Sequence, residues 1–167
     1  MSKIKLQIDT ENFMHKPTGD EVRLIRGRLK THELELTEIA EKLSQGKTVL
    51  PAVLNGTKSD DFTQQQVFLV DIDNDGIKNP SEALQPEDAL KLYTDNGITP
   101  AFWYPTFSST DEHPKYRIGF VCEEIITDKT QRDAIQEGLQ SLLPQSDKSC
   151  KDAARIFYGT DKKVVIL

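Results

Sequence analysis

The stretch Val67-Phe68-Leu69-Val70-Asp71-Ile72-Asp73-Asn74-Asp75-Gly76 constrains this chain more than any other. Four apolar residues in succession, bounded by turn-forming residues, have the length of a strand buried on both faces. A strand of that kind must be covered on each side, which requires a layered protein of helices and sheet. At a rise of ~3.3 Å per residue, Asp71 and Asp73 share one face, ~6.6 Å apart at Cα, while Ile72 points into the core. The strand therefore ends in two carboxylates and an Asn-Asp-Gly turn.

Other segments supply the partners of that strand. Ile4 to Ile8 alternates apolar and polar residues, as a half-buried strand does. Leu36, Ile39, Ala40 and Leu43 recur at helical spacing and are followed by Gly46 near the helix end. Val49 to Leu54 reads as a short strand. Pro86 suits the first turn of a helix running through Asn96. Pro100 to Phe107 and Tyr116 to Cys122 are β-prone. Asp128 with Gln131 forms a capping signal for a helix bearing Ile135, Leu139 and Leu142, which Pro144 ends. Trp103 belongs with the core. Arg155 to Tyr158 and Val164 to Ile166 read as closing strands. The pattern predicts an α+β protein, a mixed α/β sandwich rather than a doubly wound sheet.

The 167 residues are read as one domain, 1–167, with an N-terminal subregion of about 1–66 and a motif-bearing subregion of about 67–167. No apolar run approaches the ~20 residues of a membrane span, and the start has no secretory h-region. A cytoplasmic protein without membrane association is the expectation. The formal charge of −6 argues against coating nucleic acid by charge alone. The charge is uneven, however. His113 to Lys163 holds 9 Lys and Arg against 8 Asp and Glu, while the rest holds 12 against 19. Two cysteines, Cys122 and Cys150, are too few for a cysteine-built zinc site. There is no phosphate-binding G-x-x-x-x-G-K-[ST] loop and no G-x-S-x-G nucleophile elbow.

The acidic cluster admits two chemistries. Asp71, Asp73, Asp75, Gly76 and Glu82 fit the calcium-loop pattern D-x-D-x-D-G-x5-E, in which successive oxygens wrap one cation. The flanks do not suit it: QQVFLV favours a strand over a helix, Lys78 takes an apolar position, and Pro80 precedes the exit. The second chemistry uses Asp71 and Asp73 as ligands for Mg²⁺ or Mn²⁺ shared with nucleotide phosphates. A strand ending in an ordinary polar turn would show the same DxD. Two further segments bear on the choice. Thr106 to Arg117 (TFSSTDEHPKYR) gathers hydroxyls, a histidine and two cations, and Asp147 to Thr160 (DKSCKDAARIFYGT) adds a carboxylate and more cations.

Taken in order, VFLVDIDN, YPTFSSTDEHPKYRIGFV and DKSCKDAARIFYGT resemble the archaeo-eukaryotic primase superfamily, in particular the primase-polymerase domains of plasmid, phage and mobile-element replication proteins. The resemblance runs from about Asn55 to Thr160. It implies an RRM-like catalytic half and a DNA primase or DNA polymerase, a nucleotidyltransferase that makes or extends primers on a template. Asp71 and Asp73 match the first motif, and Asp147 the third, with Asp152 as its alternative; these carboxylates would hold Mg²⁺ or Mn²⁺. His113 matches the second-motif histidine and would contact nucleotide phosphates. The compact Ser-x-His of that motif is stretched here, since three residues separate Ser109 from His113 and four separate Ser108. Arg117, Lys148, Lys151 and Arg155 are phosphate-binding candidates chosen for charge and proximity. The implied partners are single-stranded DNA template, nucleoside triphosphates and a replicative helicase. A nonenzymatic DNA-binding module of the same fold, or a calcium-binding protein using Asp71 to Glu82, is the alternative.

Overall fold

A computed structural model describes residues 3–167. The chain runs β1 (Ile4–Asn12), α1 (Gly19–Arg28), β2 (Leu29–Leu34), α2 (Leu36–Ser44), β3 (Lys47–Leu50), β4 (Ala52–Leu54) and β5 (Phe62–Ile72). It continues through α3 (Pro86–Asp95), β6 (Phe102–Pro105), β7 (Tyr116–Ile126), α4 (Lys129–Ser141) and β8 (Val165–Ile166). Short 3-10 turns occupy Ser59–Asp61, Pro80–Glu82 and Lys148–Lys151. Two antiparallel sheets result, one ordered β2-β1-β3 and the other β4-β5-β7-β6-β8. This is the mixed α and β architecture that the residue pattern predicts.

The strand expected over 49–54 is divided between the two sheets at Pro51, which has no N–H for a ladder. Its first part pairs with β1 and its second with β5, so the chain passes from one sheet to the other there. The strand expected over 155–158 reduces to one bridge, in which Val49 and Phe157 exchange two hydrogen bonds of 2.8 Å. Two elements not anticipated are α1 and β2. Helix α1 buries only Ile25, and Glu21 closes its first turn by accepting from the Thr18 N–H at 2.7 Å. Among the described residues no helix is long and apolar enough to cross a membrane.

Alternation along β5 and β7 builds the core on both faces of the five-stranded sheet. Phe68, Val70, Ile72, Tyr116, Ile118 and Phe120 pack with residues of α3 and α4. Val67 and Leu69, with Phe102 and Tyr104 of β6, pack instead against Leu6 and Ile8 of β1 and the buried stripe of α2. Trp103 lies on the helix-covered face, half-buried, edge-on to Tyr116. Gly119 lies directly across from Phe102, where any Cβ would stand 2.2 Å from its ring. The second face of this sheet carries Asp71 and Arg117 at its end, in the space between the sheets.

Candidate active site

Asp71 is the next-to-last residue of β5, and its direct cross-strand neighbour on β7 is Arg117. Both side chains are over nine-tenths buried. Arg117 Nη2 donates to Asp71 Oδ2 at 3.3 Å, and Nη1 donates to the Tyr158 carbonyl at 2.7 Å. Arg117 Nε lies 3.2 Å from Asp71 Oδ1, close enough to attract but misaligned for a hydrogen bond, so Oδ1 accepts none. The guanidinium carbon sits 5.8 Å from the Tyr104 ring centre and 5.7 Å from that of Phe157. Burial opposes the charge on Arg117, but the Asp71 carboxylate and the Tyr104 side chain together outweigh it and raise the Arg117 pKa. The fork expected for phosphate oxygens is thus engaged by Asp71 and a carbonyl.

Asp147 arrives from a distant segment. Its N–H donates to the Asp71 carbonyl at 2.8 Å, beside a bridge between Ile72 and Ser146. Burial alone would raise its carboxyl; donation from the Ser149 hydroxyl (2.8 Å) and N–H (2.9 Å), with Cys150 and Arg155 nearby, holds it below the usual range instead. Asp73 behaves oppositely. Burial, then repulsion from Asp71, raises its pKa, and Lys115 at 3.8 Å offsets this only in part. The three aspartates line one cleft of about 110 Å³ with Lys16, Thr106, Phe107, Ser108, Arg117, Arg155 and Tyr158.

The acidic turn is fixed from within. Asn74, fully buried with φ 52°, donates to the carbonyls of Pro114 (2.8 Å) and Leu84 (3.1 Å) and accepts from the Leu84 N–H (2.8 Å). His113 Nε2–H donates to the Asp73 carbonyl at 3.1 Å, joining the turn to the loop before β7. This turn leaves a strand rather than a helix, and Glu82 accepts from the Asn79 side chain at 2.9 Å. A helix–loop–helix calcium hand is therefore not formed.

The remaining predicted residues separate into those at the cleft and those away from it. Arg155 lines it, 3.6 Å from Asp147. Ser109 accepts from the Lys115 N–H at 3.0 Å and faces a neighbouring groove with Trp103 and Tyr116. Lys148 turns back onto the carbonyls of Gln140 and Leu143 and the Ser146 hydroxyl. Lys151 and Asp152 lie in a separate charged groove with Lys129 and Asp133, so Asp147 is the third carboxylate of the cleft. Lys16 belongs to no acidic or periodic pattern and so gave no signal, and Tyr158 was read only as part of a closing strand in the third motif segment.

Metal fit can be judged from the donors. Asp71, Asp147 and Cys150 each offer a ligand atom, all within 4.8 Å of one another, and Asp71 Oδ1 is buried without a hydrogen-bond donor. Two carboxylates so placed, with Asp73 beside them, suit a divalent cation. No family model matches the chain, and no curated protein is significantly similar to it in sequence. Among solved structures it is similar to the AEP domain of the primase-polymerase of cyanophage S-2L. The TM-score is 0.51 and the identity 11%, over 99% of this chain and 80% of that one. The fold is of the archaeo-eukaryotic primase type.

Proposed function

We propose that this protein is a metal-dependent nucleotidyltransferase that synthesises or extends a primer on a single-stranded DNA template. The observation that carries the reading is the meeting of Asp71, Asp73 and Asp147 in one cleft that also holds Arg155 and Lys16. Three carboxylates beside two cations match a triphosphate with its counter-ions better than a neutral metabolite. The fold likeness to a primase-polymerase domain supports the same chemistry.

Each side chain has a definable task. Asp71, Asp73 and Asp147 would hold Mg²⁺ or Mn²⁺. When bound, such ions activate the attacking hydroxyl and stabilise the pyrophosphate that leaves. Arg117 fixes the Asp71 carboxylate in place, and the Ser149 donors keep Asp147 ionised. Arg155 and Lys16 neutralise phosphate oxygens, and Ser108 offers a hydroxyl at the cleft rim. His113 holds the Asp73 backbone through Nε2–H, and its Nδ1 is left as an acceptor for a nucleotide hydroxyl or base N–H rather than for phosphate. Replication of a mobile element in the cytoplasm, with a replicative helicase opening the duplex, is the setting we infer.

The test is a template-dependent incorporation assay with Mg²⁺ or Mn²⁺, run beside Asp73→Ala. Incorporation by the wild type that the variant lacks supports the assignment. Template binding with no incorporation would identify a nonenzymatic module instead.

A further inference from the structure

Past Gln65, no strand among the described residues lies along the outer side of β5. Strand β4 pairs only as far as Gln65, and the next backbone pairing on that side is the bridge between Ile72 and Ser146. Carbonyls on such an open edge inside a fold need donors. The Val67 carbonyl accepts from the Gln65 side chain at 2.7 Å, the Leu69 carbonyl from Gln136 Nε2 at 3.0 Å, and the Asp71 carbonyl from the Asp147 N–H at 2.8 Å. Helix α4 covers this edge with a polar face. Arg132, Gln136 and Gln140 follow at four-residue intervals, each at most 3% exposed. Four residues of helix advance ~6 Å and two of strand ~6.6 Å, so successive polar side chains keep step with alternate residues of β5. Arg132 Nε donates to Gln65 Oε1 at 2.9 Å, Gln136 donates to Leu69, and Gln140 Nε2 donates to the Asp147 carbonyl at 2.7 Å. At the third step the Asp147 peptide is thus held between helix and strand, its N–H on Asp71 and its carbonyl on Gln140.

We propose that Gln140 is a positioning residue: by holding the Asp147 peptide against the Asp71 carbonyl, it sets the separation of the two carboxylates that share a metal ion. The proposal rests on the reading that Asp71 and Asp147 hold that ion. The Asp147 carbonyl also accepts from the Cys150 N–H at 3.2 Å, but that bond lies within its own turn. Gln140 is the donor that ties it to another element. Losing an outer partner that orients a metal ligand typically weakens binding about ten- to a hundred-fold. The competing role for Gln140 is structural alone, the satisfaction of a buried carbonyl. Gln136 provides the comparison, because it is as deeply buried on the same helix yet donates to Leu69, whose place the β7 ladder already fixes.

Gln140→Met and Gln136→Met each remove one buried donor at nearly constant side-chain length. Wild type and both variants are compared by thermal melting, by amide hydrogen exchange at Asp147 followed by NMR, and by calorimetric Mn²⁺ titration. Both variants are expected to melt below wild type. Gln140→Met alone should exchange the Asp147 amide about ten-fold faster or more and raise the Mn²⁺ dissociation constant about ten- to a hundred-fold. Gln136→Met should match wild type in both readouts. If Gln140→Met does not fold, Gln140→Asn, whose shorter stem holds the amide back from Asp147, is compared with Gln136→Asn and the same order is expected. Equal Mn²⁺ affinity in the Gln140 and Gln136 variants would overturn the positioning role and leave the proposed activity standing. Absence of Mn²⁺ heat in wild type, or heat undiminished in Asp147→Ala, would overturn the metal reading and this proposal with it.

Discussion

Asp71 and Arg117 stand directly opposite one another on β5 and β7, with Oδ1 3.2 Å from Nε in a setting nearly closed to water. The carboxylate that would bind metal is thereby compensated before metal arrives, and it is oriented by a group that the Tyr158 carbonyl and two aromatic rings hold still. A buried pair of this kind is costly to break from one side.

Asp71→Ala should therefore abolish incorporation and also destabilise the protein by about 3–5 kcal/mol, because it leaves Arg117 charged and unpaired. Asp73→Ala should abolish incorporation with no loss of stability, since burial and repulsion already disfavour its charged form. Thermal melts of the two variants beside incorporation rates check the contrast. Equal melting temperatures would contradict the pairing.

Arg117→Lys retains the charge but cannot span Asp71 and the Tyr158 carbonyl together, so partial stability and low activity are expected. The double variant Asp71→Asn with Arg117→Met should recover much of the stability lost in either single change, yet no activity. A denaturant titration of the four-member cycle measures the coupling.

Arg155→Ala and Lys16→Ala should raise the Michaelis constant for nucleoside triphosphate, because both line the cleft. Lys151→Ala should not, since its side chain lies in a different groove. Steady-state incorporation kinetics separate these outcomes, and an equal effect of Lys151→Ala would misplace the triphosphate.

Asn74→Ala removes three buried hydrogen bonds that tie the acidic turn to Leu84 and Pro114. A loss of about 1–3 kcal/mol is expected, with weaker metal binding, because Asp73 is then free to move. Asn74→Asp keeps the acceptor alone and should fall between. Calorimetric Mn²⁺ titration and chemical denaturation test both effects.

Residue pattern and structure agree where burial engages a whole stripe or run of residues. Helix α2 was legible because Leu36, Ile39, Ala40 and Leu43 all face the core, and β5 because its apolar run is covered on both sides. Helix α1 was not, because Ile25 is its single buried residue. The aspartates could be read from their motifs, whereas the task of Arg117 could not. It depends on strand register, which brings together residues far apart in the chain. Lys148 and Lys151 were chosen for nearness in sequence, whereas a tight 3-10 turn sends one side chain back onto the Gln140 and Leu143 carbonyls and the other into a separate groove.

The bond from Arg117 to the Tyr158 carbonyl and the bond from Asp147 to the Asp71 backbone both tie the paired strands β5 and β7 to a segment that comes later in the chain. During translation β5 and β7 emerge first and can pair, burying Asp71 against Arg117 while the segment 147–160 is still inside the ribosome. A nascent chain at that stage holds its sheet but has two of its three cleft aspartates and no carbonyl for Arg117. The cleft therefore reaches its full arrangement only once synthesis has passed Tyr158, and a chain arrested earlier lacks both the Asp147 carboxylate and the carbonyl that receives Arg117, or the latter alone.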